Sequence, residues 1–176
     1  MTRVASCLTI ALLALSAAAC GPVKRPDGGS GLLPVGADAP EVVGHDAEQH
    51  EVRLSGLRGR PVVVYFYPQD GTPGCTKEAC AFRDAWTRLE KADVQVIGVS
   101  TNSATSHEEF QKKQRLPFAL AADDGRVGDA YGVKKNLWGF DRVSFLVGRD
   151  GKVAHVWPSV DPAVHADDVV REASRL

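Results

Sequence analysis

Hydrophobic positions fall into blocks of two periods along this chain. "PVVVYFYP" (61–68) and "VQVIGVS" (94–100) are continuous β-branched and aromatic runs, the pattern of strands buried on both faces. "CTKEACAFRDAWTRLEKAD" (75–93) places Ala79, Phe82, Trp86 and Leu89 at helical spacing, which predicts an amphipathic helix starting near Cys75. "ATSHEEFQKKQRL" (104–116) reads as a polar helix, "PFALAAD" (117–123) as a third strand, and "GRVGDAYGV" (125–133) as a short helical piece that leaves through glycine. "RVSFLVGRDGKVAHVWP" (142–158) gives two strands around a "GRDG" turn. "DPAVHADDVVREASRL" (161–176) offers Asp161 as N-cap and Pro162 as first residue of a closing helix. Ahead of all these, "GHDAEQHEVRL" (44–54) reads as a hairpin turning at 47–49, followed by a turn of helix in "SGLRGR".

Strands alternating with helices and closed by an antiparallel hairpin predict an α/β chain of thioredoxin-like fold, with a central mixed sheet flanked by helices. Residues 35–176 form one domain on this reading. The N-terminal residues have a different composition. Arg3, the apolar run "LTIALLALSAAA" and the small residues before Cys20 predict a secretory signal peptide over 1–19. "LSAAAC" resembles a lipobox, with Ala17 where that pattern usually has Leu, which makes Cys20 a candidate for lipid modification. "GPVKRPDGGSGLLP", rich in Gly and Pro, then predicts a flexible tether over 20–34. A lipid-anchored domain facing an extracytoplasmic space of a bacterial envelope, the periplasm, is the expected location.

Charge removes one class of function. The 21 basic and 22 acidic residues are interleaved and give a net charge of -1, so no basic face for nucleic acid is expected.

Of the four cysteines, Cys7 lies in the predicted signal peptide and Cys20 at its end, which leaves Cys75 and Cys80 to the domain. Cys75 falls in the first turn of its helix, where unpaired N–H groups and the helix dipole favour an anion such as a thiolate. Five residues of helix separate the two Cα atoms by about 8–9 Å, whereas a disulfide needs roughly 4.4–6.8 Å. A bond between them therefore requires the helix to unwind. Reactive use of the pair fits this spacing better than a static disulfide, two unrelated buried thiols or a metal site, and no His lies between Tyr67 and Asp84 to complete a metal set.

"YPQDGTPGCTKEACAFRD" (67–84) resembles the active-site segment of peroxiredoxins of the bacterioferritin-comigratory-protein or peroxiredoxin Q kind. The pattern P-x3-T-x2-C is met at Pro68, Thr72 and Cys75, and "PGCTKEAC" carries that subfamily's second cysteine. The likeness extends over 35–176 through "GADAPEV", "YGV", "RVSFLV" and "DPAVHADDV". It implies a thiol peroxidase acting on hydrogen peroxide and organic hydroperoxides, without cofactor or metal. Cys75 would be the peroxidatic thiolate and Cys80 the resolving thiol of an intrachain redox-active disulfide. Thr72 would hydrogen-bond thiolate and peroxide, Pro68 would shield the site, and Arg142 would supply positive charge, reaching Cys75 if "RVSFLV" runs antiparallel to "PVVVYFYP". A thioredoxin-like protein would recycle a monomeric enzyme. The competing functions are a thiol–disulfide oxidoreductase, which would want C-x2-C, and a copper-carrying thioredoxin-fold protein.

Other residues carry weaker signals. Glu78 either orients an arginine or simply complements the helix dipole. Lys77 and Arg83 read as solvated charges. The five histidines show no paired ligand spacing and read as surface or satisfied, partly buried residues. Trp86 and Trp157 read as packing, and Trp138 as a candidate for the site's rim.

Overall fold

The computed structural model describes residues 21–176. The predicted signal peptide and Cys20 lie outside the described residues. Seven strands build one sheet: β1 (Val43–His45), β2 (Glu51–Arg53), β3 (Val62–Phe66), β4 (Gln95–Ser100), β5 (Ala119–Ala122), β8 (Val143–Val147) and β9 (Val153–Trp157). Between β5 and β8 runs a small separate hairpin of β6 (Lys135–Asn136) and β7 (Gly139–Phe140). The sheet order is β2-β1-β5-β4-β3-β8-β9. Strands β3, β4 and β5 are parallel, while β8 lies antiparallel to β3 and β9 to β8. The helices are α1 (Pro73–Asp84), α2 (Trp86–Lys91), α3 (Ala104–Gln114), α4 (Arg126–Tyr131) and α5 (His165–Ala173), with a 3-10 turn at Leu54–Leu57. The thioredoxin-like arrangement read from the sequence is the arrangement found.

Alternation along β3 divides the core between the two faces of the sheet. Val63, Tyr65 and Tyr67 join Ala79, Phe82, Phe110 and Val169 beneath α1, α3 and α5. Val62, Val64 and Phe66 join Tyr131, Phe140 and Phe145 on the other face. Both sides of each central strand are therefore dry, as the unbroken apolar runs require, and each fully buried large side chain contributes about 1.5–3 kcal/mol. Phe82 anchors α1, with its ring centroid 5.1 Å from those of Tyr65 and His165 and 6.2 Å from that of Phe118.

Three local expectations change. The single helix expected over 75–93 is two, because the chain relaxes at Ala85 (φ -86, ψ 0) before α2 resumes. The closing helix starts at His165 and not at Pro162; Asp161 instead closes a preceding turn, its carboxylate accepting the Ala163 N–H at 2.8 Å. The stretch expected to be a free tether is packed on the domain. Lys24 and Ser30 form a bridge, the Arg25 guanidinium donates to the Gly31 carbonyl at 2.9 Å, and Leu33 is buried with its N–H on the Tyr131 carbonyl. Among the described residues no helix is long and apolar enough to cross a membrane.

Candidate active site

The parallel strand β3 delivers the chain to the loop 67–72 at its C-terminal end, and α1 starts directly after it. Thr72 is the N-cap residue in extended conformation and Pro73 opens the helix, where its missing N–H costs nothing. Cys75 thus sits in the first turn, as expected, and is buried. The antiparallel pairing of β8 with β3 sets Val143 opposite Phe66, so Arg142, one residue before β8, arrives beside the start of α1. Its guanidinium donates to Cys75 Sγ at 3.2 Å and also to the Glu78 carboxylate. The two residues 67 positions apart meet, as the antiparallel register demands.

Glu78 lies one turn beyond Cys75 and its side chain is wholly buried. Burial pushes its carboxyl up to about 7, against the Arg142 charge that draws it down. Its Oε1 has no hydrogen-bond partner. Of the two readings of Glu78, the structure supports the orienting one, since one carboxylate oxygen fixes the fork whose other arm reaches the sulfur. The guanidinium and the helix N-terminus together place positive potential at Sγ, where it suits an anion.

Cys80 is a second free thiol, partly exposed, on the flank of α1 that faces the end of α3. Its S–H donates to Gln114 Oε1 at 3.6 Å, and Arg83 donates to the Gln114 carbonyl at 2.8 Å, so Arg83 is tied to α3 and not merely solvated. Both cysteines belong to one unbroken helix, which holds them apart. The Thr72 hydroxyl departs from the expected geometry: it donates to the Gln69 carbonyl at 3.1 Å and not to Cys75. Pro68 is half-buried, and its carbonyl is covered by Gly139 of the β6–β7 hairpin.

Beneath the loop lies a polar network that sequence reasoning missed. The Asp70 carboxylate accepts from Tyr67 Oη at 2.7 Å, Ser106 Oγ at 2.7 Å and His107 Nδ1 at 2.9 Å. The Asp70 N–H in turn donates to Asn102 Oδ1 at 3.0 Å. Burial works to raise the Asp70 carboxyl, but the hydrogen bond and charge of His107, with Ser106 and Tyr67, hold it below its usual value. This ties the loop that carries Pro68 and Thr72 to the N-terminus of α3 and the end of β4. His107 is buried, as is His165, whose Nε2 meets Ser144 Oγ at 2.9 Å and whose ring burial drops its pKa to about 4. Of the two readings for the histidines, surface or satisfied within the fold, both take the second, and are buried more fully than expected. The available signal was the adjacent Ser106-His107 pair in the first turn of a helix beside an Asp-bearing loop. Trp138 is exposed at the hairpin tip, while Trp86 and Trp157 pack against the core.

A buried thiol at a helix start, bridged by arginine to a buried carboxylate, with a second thiol in the same helix, is equipped for nucleophilic attack on a small electrophile followed by thiol condensation. Residues 35–156 match the AhpC/TSA family. The chain is 42% identical over 146 residues to a putative peroxiredoxin bcp of Coxiella burnetii, covering 78% of this chain and 97% of the relative. It is 41% identical over 145 residues to chloroplastic peroxiredoxin Q of Oryza sativa subsp. japonica, covering 80% and 67%. Among solved structures, peroxidoxin BcpB from Mycobacterium tuberculosis is similar at a TM-score of 0.75 and 31% identity, over 82% of this chain and 98% of that one. Xanthomonas campestris peroxiredoxin Q is similar at a TM-score of 0.70 and 32% identity, over 76% and 90%. Motif, geometry and relatives agree: the chain belongs to the AhpC/TSA family and is a thiol-dependent peroxidase of the bcp/peroxiredoxin Q kind.

Proposed function

We propose that Cys75 is the peroxidatic residue and Cys80 its resolving partner within one chain. The observation that carries this is the Arg142 guanidinium 3.2 Å from Cys75 Sγ at a helix N-terminus, with Cys80 free in the same helix. The Cys75 thiolate attacks the terminal oxygen of a hydroperoxide, the O–O bond breaks, and the leaving alkoxide or hydroxide takes up a proton. Thr72, its hydrogen held by Gln69, offers its lone pairs to the peroxide O–H. Pro68 and the hairpin over it limit the entry of water. The resulting sulfenic acid condenses with the Cys80 thiol, forming the disulfide and releasing water, once the first turns of α1 unwind. A thioredoxin-like dithiol returns both sulfurs to the thiol state.

Hydrogen peroxide and organic hydroperoxides are the proposed substrates; the alkyl peroxide reduction activity of the Xanthomonas campestris bacterioferritin comigratory protein, 31% identical at a TM-score of 0.68, supports the second class. Because resolution needs no second subunit, the enzyme is proposed to act as a monomer. The apolar run and "AAAC" ending support acylation of Cys20 and an envelope location facing the periplasm. Disulfide shuffling and copper carriage are not favoured by the relatives.

Stopped-flow oxidation followed by mass spectrometry tests the roles. Cys75→Ser should consume no peroxide, while Cys80→Ser should react once and stall as a sulfenic or over-oxidised species. Normal turnover by Cys80→Ser with a thioredoxin donor would overturn the assignment. Oxidation of the wild type should speed amide exchange over Thr76 to Phe82, and unchanged protection there would contradict unwinding.

A further inference from the structure

The β6–β7 hairpin carries Leu137 wholly exposed and Trp138 76% exposed at its tip. The tip is held in place. Trp138 N–H donates to Asn136 Oδ1 at 2.8 Å, Asn136 Nδ2 to Asp141 Oδ1 at 3.1 Å, and the Asp141 N–H to the Lys134 carbonyl at 2.9 Å. Gly139 (φ 111) leans so closely on the loop that a Cβ would stand 2.0 Å from the Pro68 carbonyl oxygen. A fixed hairpin thus presents two adjacent large apolar side chains beside the rim of the active site, where collapse onto the surface cannot hide them. Such a patch marks a contact surface.

What covers the tip follows from where the chain enters the domain. Pro22 and Val23 line one depression with Lys134 and Asp141, the pair that closes the hairpin. Because 22–33 is packed and not a free tether, Gly21 emerges at the hairpin's base. Cys20 is the residue that precedes Gly21 in the chain, and three extended residues carry the tip about 10 Å beyond that base. Lys134 and Lys135 are exposed at the base, next to a tryptophan and a leucine, with Lys135 Nζ donating to the Asp124 carbonyl at 3.0 Å. Large apolar and aromatic side chains flanked by basic residues are the composition of elements seated in a bilayer interface.

We infer that Leu137 and Trp138 are a second membrane contact of the anchored protein, seated at the headgroup–acyl boundary, which turns the Pro68 rim toward the bilayer and makes hydroperoxides of membrane lipids the substrates it meets. This rests on the acylation of Cys20 proposed above.

The test uses the full, processed chain on vesicles of phosphatidylethanolamine and phosphatidylglycerol with brominated acyl chains. The emission of Trp138, taken as the difference between wild type and Trp138→Phe, should fall by at least half on the vesicles. Leu137→Asp should restore it and slow reduction of a phospholipid hydroperoxide in the vesicles about tenfold, with the hydrogen peroxide rate in solution as the control for folding. Unquenched Trp138 emission from vesicle-bound, acylated protein would overturn the inference. So would a loss of thioredoxin-driven turnover by Leu137→Asp in vesicle-free solution, which would mark the tip as a protein-docking surface. Mass spectrometry of the N-terminal peptide judges the anchor separately. If Cys20 carries no acyl group, the chain is held instead by an N-terminal polyhistidine on nickel-chelating lipid; quenching there sustains the contact and its absence overturns it.

Discussion

Glu78→Gln keeps the shape of the side chain that Arg142 grips and removes its charge, which makes the pH dependence of stability the sensitive readout. In the folded protein this carboxyl titrates at about 7, against 4.5 when free. Folding therefore binds a proton between those two values, and stability falls as pH rises through them, at up to about 1.4 kcal/mol per pH unit and about 3 kcal/mol in all. His165 works in the opposite sense. Its folded value of about 4 lies below the free value of 6.5, so stability rises with pH across that window at a similar slope. From pH 4.5 to 6.5 the two nearly cancel in the wild type, and from 6.5 to 7 Glu78 acts alone. Removing the Glu78 charge exposes the His165 slope. Urea unfolding of the reduced proteins at intervals from pH 4.5 to 7.5 should show the variant gaining about 3 kcal/mol on the wild type across the range. That corresponds to roughly 1–3 M in relative urea midpoint, for slopes of about 1–3 kcal/mol/M. Asp70, held below its ordinary value, loses its contribution at lower pH and does so in both proteins alike. Parallel stability curves for the two proteins would refute the assignment of a buried, proton-binding Glu78.

Arg142→Met removes a charged hydrogen bond to Cys75 and should slow its oxidation by roughly 10- to 150-fold, the rate equivalent of about 1.5–3 kcal/mol; Arg142→Lys should recover part of that, as read by stopped-flow kinetics. His107→Leu should loosen the loop that Asp70 anchors and lower the oxidation rate several-fold, whereas His107→Asn, whose amide can still donate to Asp70, should restore most of it. Gly139→Ala places a methyl group against the Pro68 carbonyl at positive φ and should destabilise the protein by about 1–3 kcal/mol in urea unfolding.

The elements that bury both faces were legible because their apolar runs are unbroken: β3, β4 and β8 lie where "PVVVYFYP", "VQVIGVS" and "RVSFLV" place them. The break at Ala85 was not, since Phe82, Trp86 and Leu89 keep a helical period across it and nothing local signals a change of axis. Asp161 and Pro162 formed a good helix-start signal that a turn used instead. The tether misled because Gly and Pro composition reports chain flexibility and says nothing of the groove that receives Leu33. At the site, Cys75 and Arg142 could be joined from strand direction alone. Asp70 and His107 could not, because their meeting depends on how α3 crosses the end of β4, which one sequence does not encode locally. The Thr72 hydroxyl pointed elsewhere for a similar reason: Gln69 next door offers a carbonyl that a motif does not display.

With the roles proposed for Cys75 and Cys80, the unbroken helix between them would also act as a clock. A sulfenic acid on Cys75 would face two fates, condensation with Cys80 or attack by a second peroxide that carries it to the sulfinic acid. Condensation must wait for α1 to open, so the opening frequency of its first turns decides the race at any given peroxide concentration. That end of the helix is lightly fastened: Thr72 makes no side-chain cap bond and the first turn holds no acidic residue to complement the dipole. Tightening it with a better cap would add about 1 kcal/mol to the reduced protein, slow the opening about fivefold, and raise the share of enzyme lost at each turnover. A more stable reduced enzyme would thus be a shorter-lived one under oxidative load.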